Sequence, residues 1–183
     1  MRIYLAGSHS SGKTTLAKYI SKKYNLPLIT EVARSILSEE ETNLKQLRSD
    51  IDAVNNYQKK IFFRQLDKEK EYKDFVSDRS IDCLAYTAQH SQVLYSIVES
   101  KEYKEYIEKL NQKDSFIFFI RPSKETLFND GVRENLDWDG VISIDAMIKY
   151  IFKQNNINYF QINTSNMQER IDFVDNLLNR LSI

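Results

Sequence analysis

The sequence predicts an α/β fold, a parallel β-sheet covered by helices on both faces, and three observations carry that expectation. Short apolar runs alternate along the chain with segments of helical periodicity. A glycine-bearing polar loop, Gly7 to Gly12, separates the first apolar run from the first helical segment. Only 4 glycines and 2 prolines punctuate the 183 residues, which suits long helices joined to short strands and argues against a turn-rich all-β fold.

The elements follow in order. Ile3 to Ala6 reads as a short buried strand, and Lys13 to Tyr24 as a helix with Leu16, Ala17 and Ile20 on one face. Leu26 to Ile29 suggests a second strand, followed by a helical stretch from residue 31 to about Ser38. From Leu44, the residues Leu47, Ile51, Val54, Ile61 and Leu66 recur at helical spacing, giving one long helix or two in tandem to about Tyr72. Phe75 to Asp78 reads as a third strand, with helical pattern resuming through Tyr86 and again over Tyr103 to Leu110. Ser115 to Ile120 is the clearest strand, closed by Arg121-Pro122. Residues 123–139 are polar and irregular, Val141 to Phe152 is helical, and Asn158 to Ile162 is a last strand. Ser165-Asn166-Met167-Gln168 has the form of a capping box ahead of a helix carrying Ile171, Val174, Leu177, Leu178 and Leu181.

In such a sheet, ligands bind beyond the carboxyl ends of the strands. Four segments sit there: Gly7 to Thr14, Glu31 to Arg34, Asp78-Arg79, and Arg121 onward. The first matches G-x-x-x-x-G-K-[ST] in full, after a strand and at a helix start. Its residues Gly7, Ser8, His9, Ser10, Ser11, Gly12, Lys13, Thr14 and Thr15 are the candidate ATP-binding set. Main-chain N–H groups and the helix N-terminus cradle phosphates, Lys13 reaches the β- and γ-phosphates, and the Thr14 hydroxyl holds Mg²⁺. His9 reads either as an acid–base group or as a solvated loop histidine. Asp78 ends an apolar strand, where its carboxylate can join the Mg²⁺ shell with Thr14 or meet a substrate hydroxyl, while Arg79 can neutralise a phosphate. The alternative is a capping aspartate beside a surface arginine. Glu31 and Arg34 stand one helical turn apart and either face one cleft together or simply pair with each other. Of Arg121 and Arg133, both in the polar segment, Arg133 is preferred as a group closing over the phosphates, because Asp130-Gly131 supplies a turn ahead of it. Tyr57, Phe62, Phe63 and Tyr86 either stack on a base or pack the core. Asp137 to Gly140 matches D-x-x-G, and Asn111 to Asp114 superficially resembles N-K-x-D. The first lies after the wrong strand and the second has its lysine misplaced, so a GTPase is not indicated.

Charge and composition narrow the class. With 26 basic and 26 acidic residues, no overall field favours nucleic acid or an anionic membrane. No apolar run approaches a membrane span, and one cysteine, Cys83, excludes an internal disulfide and fits buried apolar filler in a reducing, cytoplasmic setting. The length and 42% hydrophobic content suit one domain spanning 1–183.

Together, Gly7 to Thr14, Thr30-Glu31-Val32-Ala33-Arg34, Ser77-Asp78-Arg79-Ser80 with Asp82 and Tyr86, and Asp130-Gly131-Val132-Arg133 resemble the P-loop kinase family that includes the ribosylnicotinamide kinase domain of NAD-biosynthesis regulators, and phage-encoded nucleotide kinases. The resemblance implies a three-layer P-loop kinase fold with a five-stranded parallel sheet in the order 2-3-1-4-5 and an arginine-bearing lid at roughly 121–140. It implies Lys13, Glu31, Arg79 and Arg133 as the catalytic set, with Glu31 the base for an acceptor hydroxyl and Arg133 the lid arginine. Arg34 and Arg79 become acceptor ligands, with Asp78, Tyr57 and Tyr86 beside them. The chain is also similar to thymidylate and deoxynucleoside kinases but lacks Arg-Glu-Pro after the second strand, since Val32 follows Glu31. The expected activity is ATP- and Mg²⁺-dependent phosphoryl transfer to a (deoxy)nucleoside monophosphate. Alternatives are a nucleoside or nicotinamide riboside kinase, an ATPase switch binding a protein partner, and a kinase of polynucleotide ends or modified DNA bases. A small-molecule acceptor is the expected partner, without nucleic acid or membrane, and a homodimer is left open.

Overall fold

A computed structural model of the chain describes residues 1–30, 32–39, 47, 49–126 and 137–181, with Arg34 described by its backbone alone. The strands are β1 (Arg2–Ala6), β2 (Leu28–Ile29), β3 (Phe75–Ser77), β4 (Ser115–Ile120) and β5 (Phe160–Ile162). All neighbours pair in parallel, in the order β2-β3-β1-β4-β5. The described helices are α1 (Lys13–Tyr24), α2 (Val32–Glu39), α3 (Ile51–Lys70), α4 (Cys83–His90), α5 (Leu94–Val98), α6 (Lys101–Leu110), α7 (Trp138–Gln154) and α8 (Met167–Arg180).

Strand alternation divides the core in two. Ile3, Leu5, Val76, Phe118 and Ile120 face one side, where Leu16, Ala17 and Ile20 of α1 and Val174 and Leu178 of α8 cover them. Tyr4, Ala6, Phe75, Ile117 and Phe119 face the other, covered by apolar faces of α2 through α7. Buried on both sides, β4 reads as the continuous apolar run Phe116 to Ile120 rather than an alternating one. Each fully buried phenylalanine there contributes on the order of 2 kcal/mol, so β4 anchors the sheet.

One polar knot crosses the second core. Glu69 of α3 is 1% exposed and accepts hydrogen bonds from Tyr4 Oη (2.9 Å), Tyr106 Oη (2.8 Å), Gln65 Nε2 (3.0 Å) and Lys109 Nζ (3.0 Å). With its lone pairs filled, the buried carboxylate is tolerated, and it ties α3 and α6 to β1.

The observed bounds differ from the sequence expectations mainly at element ends. β2 and β5 begin later than Leu26 and Asn158, and α7 begins at Trp138, three residues before Val141. Asp137 is the α7 N-cap, its Oδ1 accepting from Gly140 N at 2.8 Å, so the D-x-x-G match is a capping motif. The long helical segment opens at Ile51 with Asp50 as its cap. The capping box expected at Ser165 is replaced: Asn166 caps α8, accepting from Gln168 N (2.9 Å) and Glu169 N (3.2 Å). Ser165 Oγ instead donates to Glu125 Oε2 at 2.8 Å. Placed one residue later, Asn166 reaches the first-turn amides with its side-chain carbonyl, leaving Ser165 outside the helix. Among the described residues no helix is long and apolar enough to cross a membrane.

Candidate active site

Because every strand runs the same way, the residues following β1, β2, β3 and β4 emerge on one edge of the sheet: Gly7, Thr30, Asp78 and Arg121. The loop between β1 and α1 is shaped by three residues with positive φ: Gly7 (+153°), Ser10 (+56°) and Gly12 (+84°). At Gly7 a Cβ would stand 2.5 Å from the Ile120 carbonyl oxygen, so only glycine lets the loop leave β1 beside β4. Ser10 adopts the left-handed conformation with a side chain, at a cost of roughly 1–2 kcal/mol. Such local strain is what a loop turned to present its amides to a ligand carries. Ser11 Oγ closes the loop internally by donating to the Ser8 carbonyl at 2.8 Å.

Lys13 stands at the start of α1 and its Nζ donates to the Ser8 carbonyl (2.6 Å) and Ser11 Oγ (3.3 Å), lying back across the loop. Thr14 Oγ1 donates to Asp78 Oδ2 at 2.7 Å, and Thr30 Oγ1 donates to the same oxygen at 2.5 Å. The two residues expected to hold Mg²⁺ are thus in direct contact, with a second hydroxyl beside them. An oxygen-only set with one carboxylate fits Mg²⁺, which keeps several waters and takes its remaining ligands from substrate phosphates. Thr15 is exposed on α1.

Arg79 is half-buried, and among the described residues its guanidinium makes no hydrogen bond. Burial alone would lower its pKa, but the charges of Asp82 and Asp78 raise it, so it stays cationic. Asp82, 1% exposed, accepts from Ser80 N at 2.6 Å. Burial pushes its carboxyl up, while Arg79, Lys13 and the amides of Ser80 and Gly7 pull it back. Asp82 therefore places a buried acidic group beside the phosphate loop and Arg79.

Tyr86 of α4 accepts from the His9 amide at 2.8 Å and lies 3.3 Å from His9 Nδ1. Both residues sit at the loop, with the tyrosine supporting it from α4. Tyr57 is 4% exposed and donates to the Ala33 carbonyl at 3.2 Å, the packing alternative weighed for the aromatics. Arg121 is committed: Nε and Nη2 pair with both oxygens of the buried Asp145 on α7, at 2.9 and 2.7 Å. That bidentate bond fixes the segment's entry and withholds Arg121 from a ligand. Arg34 places its backbone in α2 after Thr30. Glu31, Asp130, Gly131 and Arg133 lie outside the described residues, as does half of the expected lid.

Three contributors were not assigned site roles from sequence. Thr30 directly follows an apolar strand end, a position where a hydroxyl was legible as a candidate. Asp82 lies four residues beyond Asp78, just ahead of α4, a weaker signal. Arg170 of α8, whose Nη1 donates to the Ser11 carbonyl, had none, since an arginine on an amphipathic helix reads as solvated.

A family model described as an AAA domain matches residues 2–170. No curated protein matches the sequence. Among solved structures, deoxyadenosine kinase from M. mycoides with the products dCMP and a flexible dCDP bound is similar over 98% of this chain and 100% of its own, at 20% identity and a TM-score of 0.67. NadR protein in complex with NR is similar over 89% of this chain and 45% of its own, at 17% identity and a TM-score of 0.69. Shikimate kinase from Acinetobacter baumannii in complex with shikimate is similar over 98% and 92%, at 11% identity and a TM-score of 0.59. These likenesses are of fold: the five-stranded parallel sheet and its helices have the three-layer P-loop kinase arrangement, in the order expected from the resemblance.

Proposed function

The chain belongs to the AAA domain family, and from that premise we propose that it transfers the γ-phosphoryl group of ATP, with Mg²⁺, to a nucleoside or nucleoside monophosphate, most simply a deoxyribonucleotide. The observation that carries the proposal is the meeting of Thr14, Asp78 and Thr30 on one carboxylate oxygen beside Lys13, at the mouth of a loop whose amides are turned by Gly7, Ser10 and Gly12. Mg²⁺ held there would neutralise charge on the transferring group. The chain's own residues would do the positioning: the loop and Lys13 hold the donor, Arg79 meets the acceptor, and the charge of Asp82 keeps Arg79 cationic. Glu31 remains the proposed base for the acceptor hydroxyl, Arg34 a second acceptor ligand and Arg133 the lid arginine.

A monophosphate acceptor is supported by Arg79, uncommitted among the described residues, together with Arg34 on the adjacent helix. A nucleoside acceptor is the second reading, favoured by the deoxyadenosine kinase and the NadR complex with NR among the similar structures. Commitment of Arg121 to Asp145 also removes one cation from the phosphate side. An assay of ATP against panels of nucleosides and their monophosphates decides between them. Turnover confined to monophosphates is the expected result; turnover confined to nucleosides would replace the first reading by the second. ATP hydrolysis unaffected by every acceptor would overturn both.

A further inference from the structure

Arg170 is the largest fully buried side chain described, 1% exposed beneath the phosphate loop. Its Nε donates to the Thr164 carbonyl at 2.7 Å and its Nη1 to the Ser11 carbonyl. Its Nη2 is buried, and among the described residues it has no hydrogen-bond partner. Burial lowers its pKa. Gly12 sits directly on it: a Cβ there would stand 2.9 Å from Nη1 and 3.2 Å from the terminal methyl of Met167.

A buried cation held only by neutral carbonyls is costly unless an anion offsets it. The anion-binding loop is the group it touches. Ser11 C=O and Gly12 N–H belong to one peptide, so a charged donor on the carbonyl strengthens the amide as a donor on its other side. In the low-polarity space behind the loop the positive charge is also weakly screened.

We propose that Arg170 is a positioning residue for the donor nucleotide: acting through the Ser11–Gly12 peptide, it orients and polarises the loop amides toward the phosphates and supplies a fixed positive charge behind them. The proposal rests on Gly7 to Thr14 being the donor-phosphate loop. It also gives α8 a role in nucleotide binding, through a residue that need not touch the nucleotide.

The test is equilibrium binding, by calorimetry with Mg²⁺, of ATP and of inorganic tripolyphosphate to wild type, R170K, R170Q and R170M, each checked for folding by its nucleotide-free melt. Losing one charge-assisted hydrogen bond is expected to weaken both ligands by about tenfold or more in R170Q and R170M. R170K, which retains the charge, should recover much of that loss. Should R170M not fold, R170Q, which keeps an amide donor for the Ser11 carbonyl, carries the comparison with R170K. A folded neutral variant binding ATP within about twofold of wild type would overturn the proposal, and so would equal losses in R170K and R170Q. Both results would make Arg170 a tie for α8 alone. Wild type that binds neither ligand would instead remove the donor-loop assignment, and this inference with it.

Discussion

Gly7→Ala tests how tightly the loop is wedged into the sheet. The new methyl would stand 2.5 Å from the Ile120 carbonyl oxygen and 3.3 Å from Ser11 Oγ. The first neighbour is backbone of β4, which pairs with both β1 and β5 and carries Phe118, Phe119 and Ile120 fully buried, so it cannot retreat cheaply. A side chain at positive φ costs roughly 1–2 kcal/mol, and overpacking a rigid site roughly 1–3 kcal/mol more. The sum, about 2–5 kcal/mol, corresponds to a melting temperature lowered by about 5–15 °C for a chain of this size. Gly12→Ala is the internal comparison. Its methyl meets side-chain ends, Arg170 Nη1 and the Met167 methyl, rather than backbone, so the φ term and a disturbed Arg170–Ser11 bond remain, and a smaller fall than for Gly7→Ala is expected. Thermal melts of the nucleotide-free proteins by circular dichroism measure both. A Gly7→Ala variant melting within about 2 °C of wild type, or Gly12→Ala costing more than Gly7→Ala, would refute the wedge.

Lys13→Ala should lower phosphoryl transfer by at least about a hundredfold, since it removes the cation that reaches across the loop to the Ser8 carbonyl and Ser11 Oγ; near-normal turnover in a steady-state assay would disprove the loop's role. Asp78→Asn leaves Thr14 and Thr30 an acceptor but removes the charge, so turnover should fall about a hundredfold or more and demand much higher Mg²⁺ in a metal titration. Burial alone would raise the pKa of Asp175, but hydrogen bonds from Lys23 (2.5 Å), Tyr19 (2.7 Å) and Tyr24 (2.9 Å) bring it below the usual carboxylate value. With the folded pKa depressed, its stabilisation is present above the unfolded value near pH ~3.9 and lost as pH falls through the folded one. Asp175→Asn should therefore cost about 1–2 kcal/mol at pH 7, and the gap from wild type in denaturant titrations should close in acid.

The sequence by itself determined the layered α/β class and the phosphate loop, because both are local signals. Periodicity of 2 or 3.6 residues reports which face of an element meets the core, and G-x-x-x-x-G-K-T concentrates a turn, a cation and a hydroxyl within one strand–helix junction. α1 and β4 accordingly fall on the residues expected for them. Weaker were the edges: β2 is two residues long, and the α8 cap moved from Ser165 to Asn166, since neighbouring polar residues cap almost equally well and geometry chooses between them.

Tertiary structure alone decided which polar groups meet. Thr30 joins the Thr14 and Asp78 pair that the sequence had marked, Arg121 is taken up by Asp145 of α7, and Glu69 gathers donors from α3, α6 and β1. None of these pairings has a fixed spacing in sequence, because each depends on the order of strands in the sheet and on which helix covers which face. Arg170 is the extreme case. Nothing local separates it from a solvated helix arginine, and only the closing of α8 over the sheet puts its guanidinium beneath the loop that the sequence had marked.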